Sequence, residues 1–259
     1  MQTLQQIKQT IAVASGKGGV GKSTVAVHLT LALAKLGARA GLLDADIYGP
    51  SIPTMLGITQ KPDVEEGMLK PIETHGIKTI SMGMLMTEDS PVIWRGPMVS
   101  NVLEQFLTKV NWGELDFLII DMPPGTGDAQ LTLAQKSRLA GAVIVTTPQE
   151  VALLDARRGL KMFQQVQVPV LGIVENMSYF ICDQCNKRHT IFKEGGGKKV
   201  AAELNLPFLG ELPIDPKIAE GGDKGMPVIS KHYLELAKRV TQILRETTKE
   251  MPEEFHLKW

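Results

Sequence analysis

The sequence predicts a doubly wound α/β protein, a mostly parallel sheet with helices on both faces. Three observations predict it. Short apolar runs without polar alternation recur along the chain, the pattern of strands buried on both faces. Segments with helical periodicity separate them, so strands and helices alternate at short spacing. The first apolar run is followed at once by a glycine-rich turn and a helix, the unit with which phosphate-binding α/β folds begin. The 259 residues suit one domain, with residues 1–9 as a polar lead-in and 251–259 as a loose tail. No linker or internal repeat divides the chain.

Composition narrows the function classes. Lys plus Arg number 28 and Asp plus Glu 28, so no broad electrostatic footprint for nucleic acid or an anionic membrane is expected. No apolar stretch is long enough to cross a bilayer. Met1 to Gln6 carries no signal-peptide core, and the start is not Arg- and Ser-rich like a transit peptide, so a cytoplasmic location is expected. Two cysteines exclude a disulfide framework.

Taken in order, Thr10–Ala14 reads as the first strand and Val25–Leu36 as the first helix, ended by Gly37. Between them, Gly16-Lys17-Gly18-Gly19-Val20-Gly21-Lys22-Ser23-Thr24 fits G-x-x-x-x-G-K-S/T, the phosphate-binding loop. Glycines let the backbone aim its N–H groups at phosphate oxygens, and the helix adds its positive end. Lys22 reaches the outer phosphates and the Ser23 hydroxyl suits Mg2+. Lys17 inside the loop is unusual: it can contact phosphate in its own site or reach the nucleotide of a second chain, and its bland reading is a solvated lysine.

Ala38–Leu43 is a buried strand that delivers Asp44 and Asp46 to its carboxyl end, where ligands of open α/β sheets sit. One carboxylate there can hold Mg2+ through water and the other can orient an attacking water. Residues 58–76 read as a polar surface excursion with a small hairpin, and Ile77–Met82 as a strand. Met82, Met84, Met86 and Met98 form a cluster of flexible apolar side chains suited to core gaps or adaptable surfaces. Trp94-Arg95-Gly96-Pro97 precedes a helix from Met98 to Val110.

Phe117–Asp121 is a buried strand ending in an acid, the pattern of a strand whose Asp supports Mg2+. Met122 to Asp128, rich in Pro and Gly, sits where a loop sensing the γ-phosphate would lie. Asp128 is expected to cap a helix over Ala129–Leu139. Gly141–Thr147 is a strand; Gln149–Val166 is a helix with apolar positions at Val151, Leu154, Leu160 and Phe163. Val168–Val174 is a strand ended by Glu175-Asn176-Met177-Ser178, and the Asn176 amide has the donor and acceptor needed to read adenine. Glu194 to Lys199 opens a helix to about Leu204 without the G-K-S/T order of a second phosphate turn. Phe208–Leu212 is the last strand, with Pro213 to Pro216 beside the expected adenine position. His232–Thr247 closes the fold as an amphipathic helix.

Cys182 and Cys185 have metal-ligand spacing. A redox pair, a zinc site, an iron–sulfur site and two unpaired cysteines without metal compete. One chain offers two thiolates and His189, short of four ligands for zinc or for a 4Fe-4S cluster. Two chains about a two-fold axis would complete four thiolates.

The loop from Lys17 to Thr24 resembles the deviant Walker A motif of the MinD/ParA superfamily, in which the early lysine works across a nucleotide-sandwich dimer. Together with Asp44-Ala45-Asp46-Ile47-Tyr48-Gly49-Pro50-Ser51, Trp94 to Pro97, Asp121 to Asp128, Glu175 to Ser178 and the cysteine pair, the chain resembles the Mrp/ApbC family over nearly its whole length. The resemblance implies a P-loop ATPase of MinD-like fold that hydrolyses ATP slowly and carries a 4Fe-4S cluster between two copies on Cys182 and Cys185. It implies transfer of the cluster to apo-proteins, from an assembly scaffold. By the same resemblance Asp46 positions water, Asp44 is the supporting acid behind Mg2+, Asp121 supports the metal, and Asn176 contacts adenine; Pro213, by its place at the end of the last strand, is expected to line the base with its backbone. The N-terminal domain of many bacterial members and the N-terminal four-cysteine motif of eukaryotic cytosolic relatives are not seen, so no N-terminal cluster is expected. The competing readings are a MinD/ParA-like positioning ATPase and a zinc-bridged nucleotide-switch dimer.

Overall fold

The computed structural model describes residues 3–47, 49–85 and 96–247. Tyr48, Met86, Trp94, Arg95 and the expected tail 251–259 lie outside them.

The first strand, β1 (Ile7–Ala14), starts earlier than the apolar run, because Ile7 is buried and pairs with Leu115. Only residues 3–6 remain as lead-in, a single 3-10 turn. Helix α1 (Lys22–Lys35) is buried almost all round from Val25 to Leu33, as befits a central helix. It ends in a Schellman motif: Gly37 takes φ 98°, its amide bonds Ala34 at 2.9 Å, and the Ala38 amide bonds Leu33 at 3.1 Å. β2 (Ala40–Asp44) leads to a one-turn helix, α2 (Ile52–Met55). The polar excursion does contain a hairpin, β3 (Val64–Glu65) with β4 (Met68–Leu69), followed by β5 (Ile72–Thr74) and β6 (Ile77–Ser81). Then come α3 (Gly96–Thr108), β7 (Leu115–Asp121), α4 (Asp128–Lys136), β8 (Gly141–Thr146) and α5 (Glu150–Gln165). The chain closes with β9 (Val170–Ile181), β10 (Arg188–His189), α6 (Gly196–Glu203), β11 (Phe208–Ile214), α7 (Pro216–Asp223) and α8 (Lys231–Thr247).

All strands but β3 and β4 join one nine-stranded sheet, ordered β5-β6-β2-β7-β1-β8-β9-β11 with β10 on the end of β9. Among the described strands of this sheet, only β5 and β10 run antiparallel to their neighbours. Alternate residues feed two cores. Ile11 and Val13 pack with α1 and α8 on one face; Ala12 and Ala14 pack with α3, α5 and α6 on the other. The doubly wound expectation holds.

Several local expectations do not. β9 does not end at Val174 but runs to Ile181, because β11 pairs along its far half and β10 folds back on its end. On α5 the buried stripe is Leu153, Ala156, Leu160 and Phe163; Val151 and Leu154 lie on the opposite side, 64% and 59% exposed. Asp128 is the first residue of α4 rather than its side-chain cap; Gly127 occupies the cap position. Helix α7 was not anticipated, although its Asp215-Pro216 start is a helix signal: the Asp215 carboxylate accepts from the Lys217 amide at 3.0 Å. Met82 and Met84 are core residues, whereas Met98 is exposed. Among the described residues no helix is long and apolar enough to cross a membrane.

Candidate functional site

The carboxyl ends of β1, β2 and β7, and Asn176 midway along β9, converge on the start of α1. The phosphate loop, residues 15–21, joins β1 to α1, with Gly19 at φ 78° and Gly21 at φ 81°. Its two defining glycines answer to protein neighbours. A Cβ on Gly16 would lie 2.1 Å from the Asp155 carbonyl of α5, and one on Gly21 would lie 2.2 Å from Asn176 Nδ2. Gly18 and Gly19 face open space instead, and both are exposed. Lys17 is half-buried; its carbonyl accepts from Ser15 Oγ at 2.8 Å.

Lys22 is 6% exposed and its ammonium lies among acids: 2.8 Å from Asp121 Oδ1 and 3.5 Å from Asp46 Oδ2. Ser23 Oγ donates to Asp121 Oδ2 at 2.6 Å. Asp44 is fully buried; its carboxylate accepts from the Asp46 amide at 3.1 Å and from Ser81 Oγ at 2.7 Å. Burial pushes the Asp121 carboxyl up, with the Lys22 ammonium pulling it back. Burial, then the Asp121 charge, push Asp44 up to about 7, against the Ser81 hydrogen bond and Lys22. The donor set of Ser23, Asp46 and Asp121 is hard oxygen, which fits Mg2+. The structure thus brings Lys22, Ser23, Asp44, Asp46 and Asp121 together, and adds Ser81, for which the sequence offered no signal.

Asp44 gives a pH dependence. Its folded value, about 7, stands above the ordinary 3.8, so the folded state holds a proton that the unfolded chain has released. Stability from this group is full below about pH 4 and is lost as pH rises through about 7, by at most ~1.4 kcal/mol per pH unit for one proton. In metal- and nucleotide-free protein, Asp44→Asn is therefore expected to flatten this component. Urea midpoints of both proteins between pH 5 and 8 check it: a variant as steep as wild type would refute the assignment.

Beside the loop opens a cavity of about 530 Å³. Thr24, Asn176, Met177, Phe192 and Pro213 line it, with Ile218 and Tyr233 deeper along its wall. Asn176 Nδ2 donates to the Val20 carbonyl at 2.9 Å, tying the cavity to the phosphate loop. Behind the wall, buried His28 stacks on Tyr233 with centroids 4.7 Å apart, and its Nδ1 donates to the Thr24 carbonyl at 2.8 Å. Thr24, Asn176 and Pro213, far apart in sequence, thus face one space. On the other side, the Gly125 amide donates to the Ser15 carbonyl at 3.0 Å and the Met122 amide to Val13 at 3.0 Å, pinning the loop after β7 against the phosphate loop.

Glu175 has a role the sequence did not disclose. Fully buried, it accepts from Ser178 Oγ at 2.6 Å and from the amides of Gly195 at 3.0 Å and Gly197 at 2.5 Å. The glycine run before α6 is therefore filled by the protein's own carboxylate. The only forward signal was that run itself, which asks for an anion.

Cys182 and Cys185 occupy the turn between β9 and β10. The Cys182 amide donates to Lys187 at 3.0 Å and the Asn186 amide returns to Cys182 at 2.9 Å, with Asn186 at φ 56°. Cys182 is half-buried and Cys185 exposed. Hydrogen bonds from the Cys185 and Gln184 amides draw the Cys182 thiol below its ordinary value, the environment of a thiolate ligand. His189 does not join them: among the described residues, no three His, Cys, Asp or Glu side chains are gathered to hold a metal ion.

Residues 6–248 match the ParA family of NUBPL iron-transfer P-loop NTPases. The chain is 58% identical over 252 residues to the iron-sulfur cluster carrier protein of Synechocystis, covering 95% of this chain and 71% of that one. A nucleotide-binding protein from Archaeoglobus fulgidus, solved in complex with ADP and with Co found in it, is 41% identical, with a TM-score of 0.77 and 90% of each chain covered. The cell division ATPase MinD of Pyrococcus furiosus shares the fold at 21% identity and TM-score 0.64, over 91% of this chain and 99% of that one.

Proposed function

Because the chain belongs to the family of NUBPL iron-transfer P-loop NTPases, we propose that it is an iron–sulfur cluster carrier driven by ATP. It acts as one P-loop domain, hydrolyses ATP slowly, holds a 4Fe-4S cluster as cargo between two copies and hands it to apo-proteins. One observation carries the reading. β9 brings Asn176 to the cavity beside the phosphate loop and, past a bulge at Met177, ends in the Cys182–Cys185 turn. A nucleotide site and a thiolate pair thus share one element.

In this reading Lys22 exchanges its carboxylate partners for phosphate oxygens, and the amides of residues 16–24 cradle the charge. Mg2+, on Ser23 with Asp121 and Asp44 behind it, would neutralise the β- and γ-phosphates. Asp46 orients the attacking water, and Lys17 reaches phosphate across the dimer. Asn176 and Pro213 border the adenine. The exposed apolar side chains Met98, Val151 and Leu154 in the first turns of α3 and α5 favour a second copy covering this edge. Each copy brings two soft thiolates and two copies bring four, the set for a 4Fe-4S cluster. The partners are the apo-acceptors and a scaffold in the cytoplasm, with neither nucleic acid nor membrane required.

Anaerobic reconstitution with iron and sulfide tests the proposal. A brown dimer with the absorbance of a 4Fe-4S cluster, able to activate an apo 4Fe-4S enzyme, is expected. A colourless, zinc-loaded protein would overturn it.

A further inference from the structure

The cavity beside the phosphate loop takes one wall from the excursion that carries the cysteines. Phe192 follows β10, is half-buried, and lines the cavity with Met177, Asn176 and Pro213. Both ends of its segment are anchored. On one side, Arg188 packs its guanidinium 3.8 Å over the Tyr179 ring and binds Glu211 at 2.8 Å and Glu194 at 3.2 Å, while Arg188 and His189 pair with Ile181 and Phe180. On the other, Gly195 and Gly197 are held by Glu175, the residue next to Asn176. At the centre the chain turns tightly: Ile191 bridges Lys193, and Lys193 sits at φ 81°, in the left-handed region that a lysine adopts only under local constraint. That turn presents Phe192 at its tip. The anchors thus tie the Phe192 turn to the β9–β10 hairpin on one side and to the residue beside Asn176 on the other.

We propose that Phe192 forms an aromatic face of the adenine site, and that through it the cysteine turn registers whether a base is bound. The proposal rests on the ATP reading above. Among the cavity's other lining groups Met55, Met177, Ile214 and Ile218 are aliphatic or thioether, and the buried Tyr233 ring is already stacked on His28, so the half-buried Phe192 ring supplies the free flat face on which a purine stacks.

The test compares wild type, Phe192→Ala and Phe192→Tyr by calorimetric titration with ATP and with tripolyphosphate, each with Mg2+. It adds hydrogen exchange over residues 179–195 with and without ATP. Phe192→Ala is expected to weaken ATP about tenfold, the loss of one aromatic stack, and to leave tripolyphosphate unchanged. ATP should slow exchange across residues 182–190 in wild type but not in Phe192→Ala, and Phe192→Tyr should restore both effects. Equal ATP affinity in Phe192→Ala, an equal loss for ATP and tripolyphosphate, or protection that persists without the ring would each overturn the proposal. Wild type that binds no ATP would instead overturn the nucleotide reading itself.

Discussion

Lys22→Ala is expected to lower ATP hydrolysis by about 10²–10³-fold, the loss that follows removal of one preorganised group facing developing phosphate charge. A second effect comes from the nucleotide-free protein. There Lys22 is the cation beside Asp121, at 2.8 Å and with both side chains buried. Removing it leaves Asp121, already pushed up by burial, with its compensating charge gone. Breaking a buried pair costs ~3–5 kcal/mol while the remaining charge persists, and less once it takes up a proton. The variant should therefore be less stable than wild type at pH 8, with the gap narrowing toward pH 5 as the carboxyls Asp44 and Asp121 protonate. ATPase assays and denaturant titrations at both pH values read the two effects separately. Hydrolysis within a factor of two or three of wild type would remove Lys22 from the chemistry. A pH-independent stability gap would remove it from the acid cluster. If Lys22→Ala also left transfer to an apo-acceptor intact, hydrolysis and carrying would be uncoupled.

Cys182→Ser is the second large effect. In a dimer with one thiolate pair per copy, the substitution takes the ligand count from four to two, and serine is a poor substitute for thiolate toward iron. Iron and sulfide retained after anaerobic reconstitution and desalting should fall at least about tenfold, the scale of ligand-shell losses in metal sites. Cys185→Ser should match it, because a symmetric site uses both cysteines of each copy. The variants should fold and bind nucleotide as wild type does: Cys185 is exposed, and the turn is closed by backbone hydrogen bonds on Cys182, Asn186 and Lys187. Full cluster content in either variant would show that four thiolates from two copies are not the cluster's ligands.

The parts of the fold legible in the sequence were those set by local pattern. Continuous apolar runs such as Phe117 to Ile120 marked strands buried on both faces, and Gly37 marked a helix end that its φ of 98° requires. The phosphate loop was legible because its spacing is fixed by the loop itself. What could not be read depended on partners distant in the chain. The extension of β9 to Ile181 is paid by β11 and β10, whose pairing no window around residue 175 contains. Gly16 is demanded by the close approach of the α5 backbone at Asp155. The periodicity of α5 admits apolar positions on both sides of the helix, and only the sheet decides that Leu160 and Phe163 are covered while Val151 and Leu154 are not. In the site, Asp44 and Asp121 were visible as strand-end acids, but Ser81, Phe192 and the buried Glu175 meet their partners only through the fold.

The carboxylate inside the glycine run before α6 bears on selectivity. The starts of α1 and α6 both carry runs of glycine, and either could attract a dissolved anion. At one of them an anion is tethered by the backbone and held in place by Ser178 and two amides. Tethering makes the contest unequal: an intramolecular group competes at an effective concentration that free phosphate, nucleotide or carboxylate metabolites do not match. The start of α6 is thereby closed to solution anions, and of these two starts the one at α1 is left open to a triphosphate.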